Sequence, residues 1–296
     1  MSFAEALVRR GVIGAVTYAD GEVETAGLAD VATGEPMTPR HRFRIGSGTK
    51  AYVAYLATLL VDDLDQIVVG GDVTWRHLLT HRSGLFDATW DGELDQEWLF
   101  GPPTRSDPRR VTVVSLSYPR RFAPGAEYRY CNTNYDFAGL ALEAQTGTPL
   151  RELLRKHVFE PLGLANTTFE EEPVVPTGAS HGYALKGGMM PVDEEPRDVT
   201  EYLIGAWASG AIASDVFDLA RFFAFAVPLL APEELGVHRH DYPCGTAWGH
   251  SGGIAGYFAN VRCSPDGSHV VALLSNTQSI KVARALDVAT RKLYCR

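Results

Sequence analysis

The chain has 296 residues, 45% of them hydrophobic and 21% charged, which excludes a disordered or fibrous protein and suffices for a sizeable core. A net charge of -9 excludes an extended nucleic-acid-binding face, because phosphate backbones require clustered cations. No apolar run reaches the roughly 18 residues that a membrane-spanning helix needs, so no membrane partner is expected.

In chain order, the first 35 residues read as a β-hairpin. Val12 to Tyr18 is apolar, Asp20-Gly21-Glu22 supplies the turn and Val23 to Leu28 returns. Arg9 and Arg10 precede only a short apolar stretch, Gly11 to Ala19. It reads as a strand entering that turn and not as the core of a signal peptide, so a cytoplasmic location is expected. Phe43-Arg44-Ile45 leads into Gly46-Ser47-Gly48. Tyr52, Tyr55, Leu56, Leu59 and Leu60 then recur at helical spacing, which predicts a helix from near Ser47. Trp75 to Thr80, Tyr135 to Thr146, Leu150 to Val158 and Phe217 to Val227 also read as helices. Glu170 to Thr200, rich in acid, Pro and Gly, reads as a long surface loop. Near the end, Gly249 to Ala259 contains a strand, Ser264-Pro265-Asp266-Gly267 a turn, His269 to Ser275 a second strand and Lys281 to Tyr294 an amphipathic helix. Strands at both ends with helices between them predict one antiparallel sheet built from both termini. The four cysteines, Cys131, Cys244, Cys263 and Cys295, are too few and scattered for a disulfide scaffold. Reduced thiols are expected, with Cys244 and Cys263 the one pair that can face each other across a hairpin.

Three short motifs carry chemistry. In Ser47-Gly48-Thr49-Lys50 the two ends share a helix face, which puts a lysine beside a serine hydroxyl. A serine hydroxyl is a poor nucleophile alone; a neighbouring amine that can be neutral takes its proton. The helix start adds N–H groups for a developing oxyanion. An isolated S-x-x-K is equally a capping serine beside a surface lysine. In Tyr130-Cys131-Asn132 the phenol can pass protons between nucleophile and leaving group, and the Asn132 amide can hold a substrate carbonyl or N–H. A polar turn ahead of a helix explains the same residues without chemistry. In His250-Ser251-Gly252-Gly253, His250 can act as a proton donor or cation and Ser251 can hold a substrate carboxylate or amide. Gly252 and Gly253 can admit a ligand close to the strand. A glycine-rich strand edge is the plain alternative.

Taken together, S-x-x-K, Y-x-N and H-x-G resemble the serine β-lactamase and penicillin-binding protein family, in its class C β-lactamase and D-alanyl-D-alanine carboxypeptidase branch. Phe43 to Gly46, His77 to Leu85, Pro124-Gly125, Gly205 to Ser214 and Gly249 to Tyr257 extend the resemblance over about Gly11 to Leu293. Cys131 stands where serine or alanine is common, and is expected to pack passively. The resemblance implies an α/β (α+β) fold in which helices flank an antiparallel sheet and an all-helical lobe is inserted. The α/β lobe would span residues 1–46 and 205–296, the helical lobe 47–204. It implies Ser47 as nucleophile, Lys50 and Tyr130 as proton managers, Asn132 and His250 beside them, and an oxyanion hole from the N–H groups of Ser47 and Gly253. Ser251 and Gly252 would bind substrate. No metal or organic cofactor is needed. The partner is a small-molecule or peptide substrate with an ester, D-amino-acid amide or lactam carbonyl. Acyl transfer to an amine or alcohol, and a non-enzymatic ligand-binding protein on the same fold, are the alternatives.

Two further patterns compete. Gly249-His250-Ser251-Gly252-Gly253 also fits the G-x-S-x-G nucleophile elbow, but only 45 residues follow Ser251 and they read as strand and hairpin. His77 and His81 are spaced like zinc ligands but lack the glutamate of H-E-x-x-H, and are expected to be structural.

Overall fold

The structure is a computed structural model that describes every residue except 175, 176, 191, 193, 194, 204 and 205. Gly205, where the family-like segment and the expected second part of the α/β lobe begin, therefore lies outside the described residues.

A helix missing from the sequence reading opens the chain. α1 (Phe3–Val8) is only 6 residues long, too short to display a period, and is held by a capping box between Ser2 and Glu5. The expected hairpin follows as β1 (Gly14–Ala19) and β2 (Glu22–Asp30). Asp20 (φ 46°) and Gly21 (φ 99°) are both left-handed, as a two-residue turn matched to strand twist requires. Five more strands complete the sheet: β3 (Glu35–Pro36), β4 (His238–Tyr242), β5 (Gly245–Ile254), β6 (Tyr257–Cys263) and β7 (Val270–Ser275). Their spatial order is β4-β5-β6-β7-β1-β2-β3, and every neighbouring pair is antiparallel. The strand expected within Gly249 to Ala259 proves to be the end of β5 and the start of β6. The chain reverses between them at Ala255-Gly256, where Gly256 (φ 76°) lies so close to the Gly182 backbone that a Cβ would clash. Ala-Gly carries too little polarity to announce a turn in sequence.

Alternate residues of the central strands feed two layers. Ala15, Val271 and Leu273 pack against α1 and the terminal helix, introduced here as α8 (Ile280–Tyr294). Val16, Ala272 and Leu274 face the other way, into the main core. That core holds α2 (Thr49–Leu60), α3 (Trp75–Leu79), α6 (Thr133–Thr146) and α7 (Val216–Leu230), while α4 (Gly92–Phe100) and α5 (Pro108–Ser117) stand further out over a small cluster of Ala88, Leu94, Trp98 and Val111. α2 is apolar nearly all round, as a central helix must be; its Tyr52 ring stacks on Phe222 of α7 at 3.5 Å between centroids. The stretch between β3 and β4 is not purely helical: Phe43–Arg44, Ile212–Ser214 and Thr168–Phe169 make a small sheet, and Tyr183–Ala184 with Arg197–Asp198 lends short strands to the expected loop. Among the described residues no helix is long and apolar enough to cross a membrane.

The cysteine expectation is corrected. Cys244, in the β4–β5 turn, is bonded to Cys295 at the end of α8, with Cα atoms 5.5 Å apart. Cys263 is a buried free thiol that lies opposite Trp248, not Cys244. The partner of Cys244 lies 51 residues away in sequence, a pairing that only the docking of α8 reveals.

Candidate active site

The turn Gly46–Gly48 delivers the chain from a short strand into α2. Gly46 (φ 50°) lies so close to the Gly253 backbone that a side chain there would meet it at about 3 Å. Ser47 therefore sits at the meeting of α2 and β5. Lys50, one turn on, is fully buried, and its Nζ has three acceptors for its three protons: Ser47 Oγ at 3.1 Å, Asn132 Oδ1 at 2.9 Å and the Ser209 carbonyl at 2.7 Å. None of the three is a carboxylate.

The second motif thus meets the first through its asparagine. Asn132 does not offer its amide freely: Nδ2 donates to Asp87 Oδ2 at 3.2 Å and to Thr89 Oγ1 at 3.4 Å, and its backbone N–H donates to Asp87 Oδ2 at 2.9 Å. Asp87 was not singled out from sequence, although it closely follows the matching segment that ends at Leu85. Two more residues escaped notice. Ser209 contributes only a carbonyl, which no side-chain pattern reports. Asp136 of α6 is wholly buried; burial pushes its carboxyl far above the usual range, and it accepts the backbone N–H groups of Ala208 and Ser209. It so fixes the segment whose carbonyl faces Lys50.

Tyr130 lines the same cleft as Ser47, and its ring lies 5.1 Å from Lys50 Nζ. No hydrogen bond joins its hydroxyl to Ser47 Oγ. Its ring is held by imidazoles: His81 stacks on it at 4.3 Å and His250 stands at 6.3 Å. His81 (φ 58°) follows α3 and accepts the Cys131 N–H at 3.2 Å, while His77 caps α3 by accepting the Thr74 N–H. No group of three or more metal-ligating side chains exists among the described residues. Burial pushes the imidazoles of His81 and His250 well below their usual value, reinforced by Lys50 and His238. His250 therefore stands as a neutral ring, with Nδ1 donating to the Ser251 carbonyl at 2.7 Å, and the cationic role expected for it is corrected. Cys131 packs as a buried free thiol.

The period of two along β5 sorts the rest of the third motif. Ser251 points away from Ser47 into a recess beneath α8, lined also by Phe258, Asn260 and Asp287, and accepts Arg262 Nη2 at 2.8 Å. Its expected part in substrate binding is corrected, and its place on a regular strand excludes the nucleophile-elbow reading. Gly252 admits not a ligand but the chain's own nucleophile turn: a Cβ there would meet the Ile45 carbonyl and, at 3.1 Å, the Ser47 nitrogen. Gly253 lines the cleft itself. The cleft encloses about 450 Å³ and joins Ser47, Tyr130, Asn132 and Gly253 to a wall of Trp90, Trp98, Leu99, Met189 and Ile254.

Comparison with known proteins follows this geometry. The family model described as Beta-lactamase matches residues 2–294. A D-stereospecific amidohydrolase from Streptomyces superposes with a TM-score of 0.81 at 26% identity, covering 97% of this chain and 96% of that one. The D-amino acid amidase of Ochrobactrum anthropi SV3, solved in complex with L-phenylalanine, gives 0.77 at 25% identity, covering 96% and 95%. In sequence, the Unguisins hydrolase ungD' of Aspergillus campestris is 27% identical over 226 residues, 67% of this chain but 40% of that protein. The chain thus spans well under two thirds of the length of this curated relative.

Proposed function

The chain belongs to the Beta-lactamase family, and on that premise we propose that it is a serine hydrolase that acylates Ser47 with D-amino-acid amides, esters or short peptides. The observation that carries the reading is the 3.1 Å contact between the buried Lys50 Nζ and Ser47 Oγ, at a junction that opens onto the cleft. The substrate class is supported by the likeness, at nearly full length, to a D-stereospecific amidohydrolase and a D-amino acid amidase.

With Lys50 as the free amine, Ser47 Oγ attacks the substrate carbonyl and gives its proton to the Lys50 Nζ lone pair, with Tyr130 as the group nearest the departing amine or alcohol. The tetrahedral oxyanion is met by the backbone N–H groups of Ser47 and Gly253, a donor pair of the kind that contributes about 3 kcal/mol per hydrogen bond to the transition state. Collapse breaks the carbonyl–nitrogen or carbonyl–oxygen bond, and the leaving group departs with the proton. Water then attacks the ester on Ser47; an amine in the same place would yield a new amide. Asn132, tied to Asp87 and Lys50, positions the lysine. His250, neutral and packed, sets the face of Tyr130.

The test is a panel of D- and L-amino-acid amides, methyl esters, a penicillin and a thioester, with and without added amine, read by mass spectrometry of intact protein and product. An acyl adduct on Ser47 and release of the D-amino acid are expected, both absent in Ser47→Ala. Equal turnover of L-amides, or an adduct on any other residue, overturns the reading.

A further inference from the structure

One residue of the cleft wall has no part in that chemistry. Asp95 lies on α4, and together with Trp98 and Leu99, three and four residues on, it forms the helix face turned to the cleft. An acid in the first turn of a helix has an ordinary reason to be there, since it meets the positive end of the helix dipole. That reason does not explain its setting. Among the described residues Asp95 carries no ion pair and its carboxylate accepts no hydrogen bond, although its neighbours Asp91 and Glu97 each have partners, in Tyr118 and Arg110. It is the one acidic side chain among the described residues lining the cleft, which include no Lys, Arg or His. Beyond the uncharged polar groups around Ser47, the wall is apolar and aromatic, with Trp98 buried and Trp90 exposed.

An unpaired carboxylate that shares a partly enclosed cleft with two indoles is a site for an ammonium ion. The charge attracts it, the indole faces hold it, and the low polarity of the wall strengthens both. The same wall accepts an apolar side chain. A carboxylate-bearing ligand meets the opposite: no cation to hold it and one anion to repel it. We infer that Asp95 is the specificity-determining anchor for a protonated amine on the acyl donor, so that the cleft selects free-amine aminoacyl amides and esters over N-acylated donors and over acids such as penicillins. The inference rests on the hydrolase reading for its chemistry, but amine recognition can be measured apart from turnover.

The first experiment compares kcat/KM for D-phenylalanine methyl ester and N-acetyl-D-phenylalanine methyl ester in wild type, Asp95→Asn and Asp95→Glu. Wild type is expected to prefer the free amine by tenfold or more, chiefly through KM. In Asp95→Asn that ratio is expected to collapse to about one, and Asp95→Glu to restore part of it. The second experiment measures binding of D-phenylalanine amide to Ser47→Ala and to Ser47→Ala/Asp95→Asn by calorimetry, with affinity expected to fall tenfold or more in the double variant. No preference in wild type, a ratio that survives in Asp95→Asn, or equal affinity of the two Ser47→Ala proteins overturns the anchor. Loss of turnover without loss of Asp95-dependent binding overturns the hydrolase reading and leaves the anchor standing.

Discussion

Asn132 Oδ1 lies 2.9 Å from Lys50 Nζ, so the asparagine of one motif is a hydrogen-bond acceptor for the lysine of another, 82 residues away. Asp87 completes the relay by holding both the amide and the backbone N–H of Asn132. Asp87→Ala is expected to lower the acylation rate of Ser47 by about 100-fold, the scale set by a misplaced catalytic group. It should also destabilise the fold by about 1–3 kcal/mol through unsatisfied buried donors. Stopped-flow acylation and urea denaturation separate the two effects; an unchanged rate would detach Asp87 from the lysine.

Lys50→Arg tests the proton acceptor. Arginine keeps a charge at the same place but does not give up its proton at any ordinary pH. Acylation by stopped flow is expected to fall by about 100-fold or more, within the range of lost general-base catalysis, and Lys50→Met should fail likewise. Acylation at near wild-type rate in Lys50→Arg would pass the role to Tyr130 or to the substrate.

Ser251 faces α8 and holds Arg262, whereas Ser47 opens onto the cleft. Ser251→Ala is expected to keep acylation close to wild type and to lose about 1 kcal/mol of stability, the usual worth of one hydrogen bond. Ser47→Ala is expected to abolish labelling by a fluorophosphonate. Peptide mapping that finds the probe on Ser251 would overturn the assignment of the nucleophile.

The imidazoles around Tyr130 make stability depend on pH. Burial pushes His238 down to about 4, with Lys50 and Arg262 adding to the effect, and it pushes His81 and His250 well below their usual value. Each therefore binds a proton more weakly folded than unfolded, where its pKa is near 6.5. The stability involved is fully present above about pH 6.5 and is lost as the pH falls towards 4, with a slope of up to about 1.4 kcal/mol per unit for each ring. Urea midpoints measured from pH 7.5 to 4.5 should fall, and His238→Gln should flatten the decline. A midpoint independent of pH over that range would contradict these burials.

The Cys244–Cys295 bond closes a loop of 51 residues around the β4–β5 edge and α8. Cys295→Ser is expected to lower stability by about 2–4 kcal/mol, less than the full chain-entropy figure if the unfolded chain stays compact. Ser47 acylation should persist, because neither cysteine lines the cleft. Thiol counting on the denatured, unreduced protein should find two free groups, Cys131 and Cys263.

Much of this was legible in the sequence because its signals are local. The hairpin of β1 and β2 rests on Asp20-Gly21, α2 on the spacing of its apolar residues, and the Ser47–Lys50 contact on one helical turn. What was not legible depends on three-dimensional neighbours. Ser251 and His250 looked like cleft residues until the pleat of β5 sent them to opposite faces, and Gly252 looked like ligand space until the Ile45–Ser47 backbone filled it. Asp87, Asp136 and Ser209 act through backbone groups or through other side chains, and no spacing rule marks such roles.

The central place of β1 shapes how the chain is made. β1 has β2 on one side and β7 on the other, and Ile13 just before it donates to Thr277, 264 residues downstream. During translation the hairpin of β1 and β2 leaves the ribosome with one ladder edge bare, and the strand that covers that edge emerges only after all the helices from α2 to α7 have been made. Closing so long a loop is slow, and the waiting edge can pair with other nascent chains. Chaperone supply and translation speed should therefore govern the yield of folded protein more strongly than its final stability does, and a circular permutant that begins at β7 and runs through a linker into β1 should fold faster than the natural order.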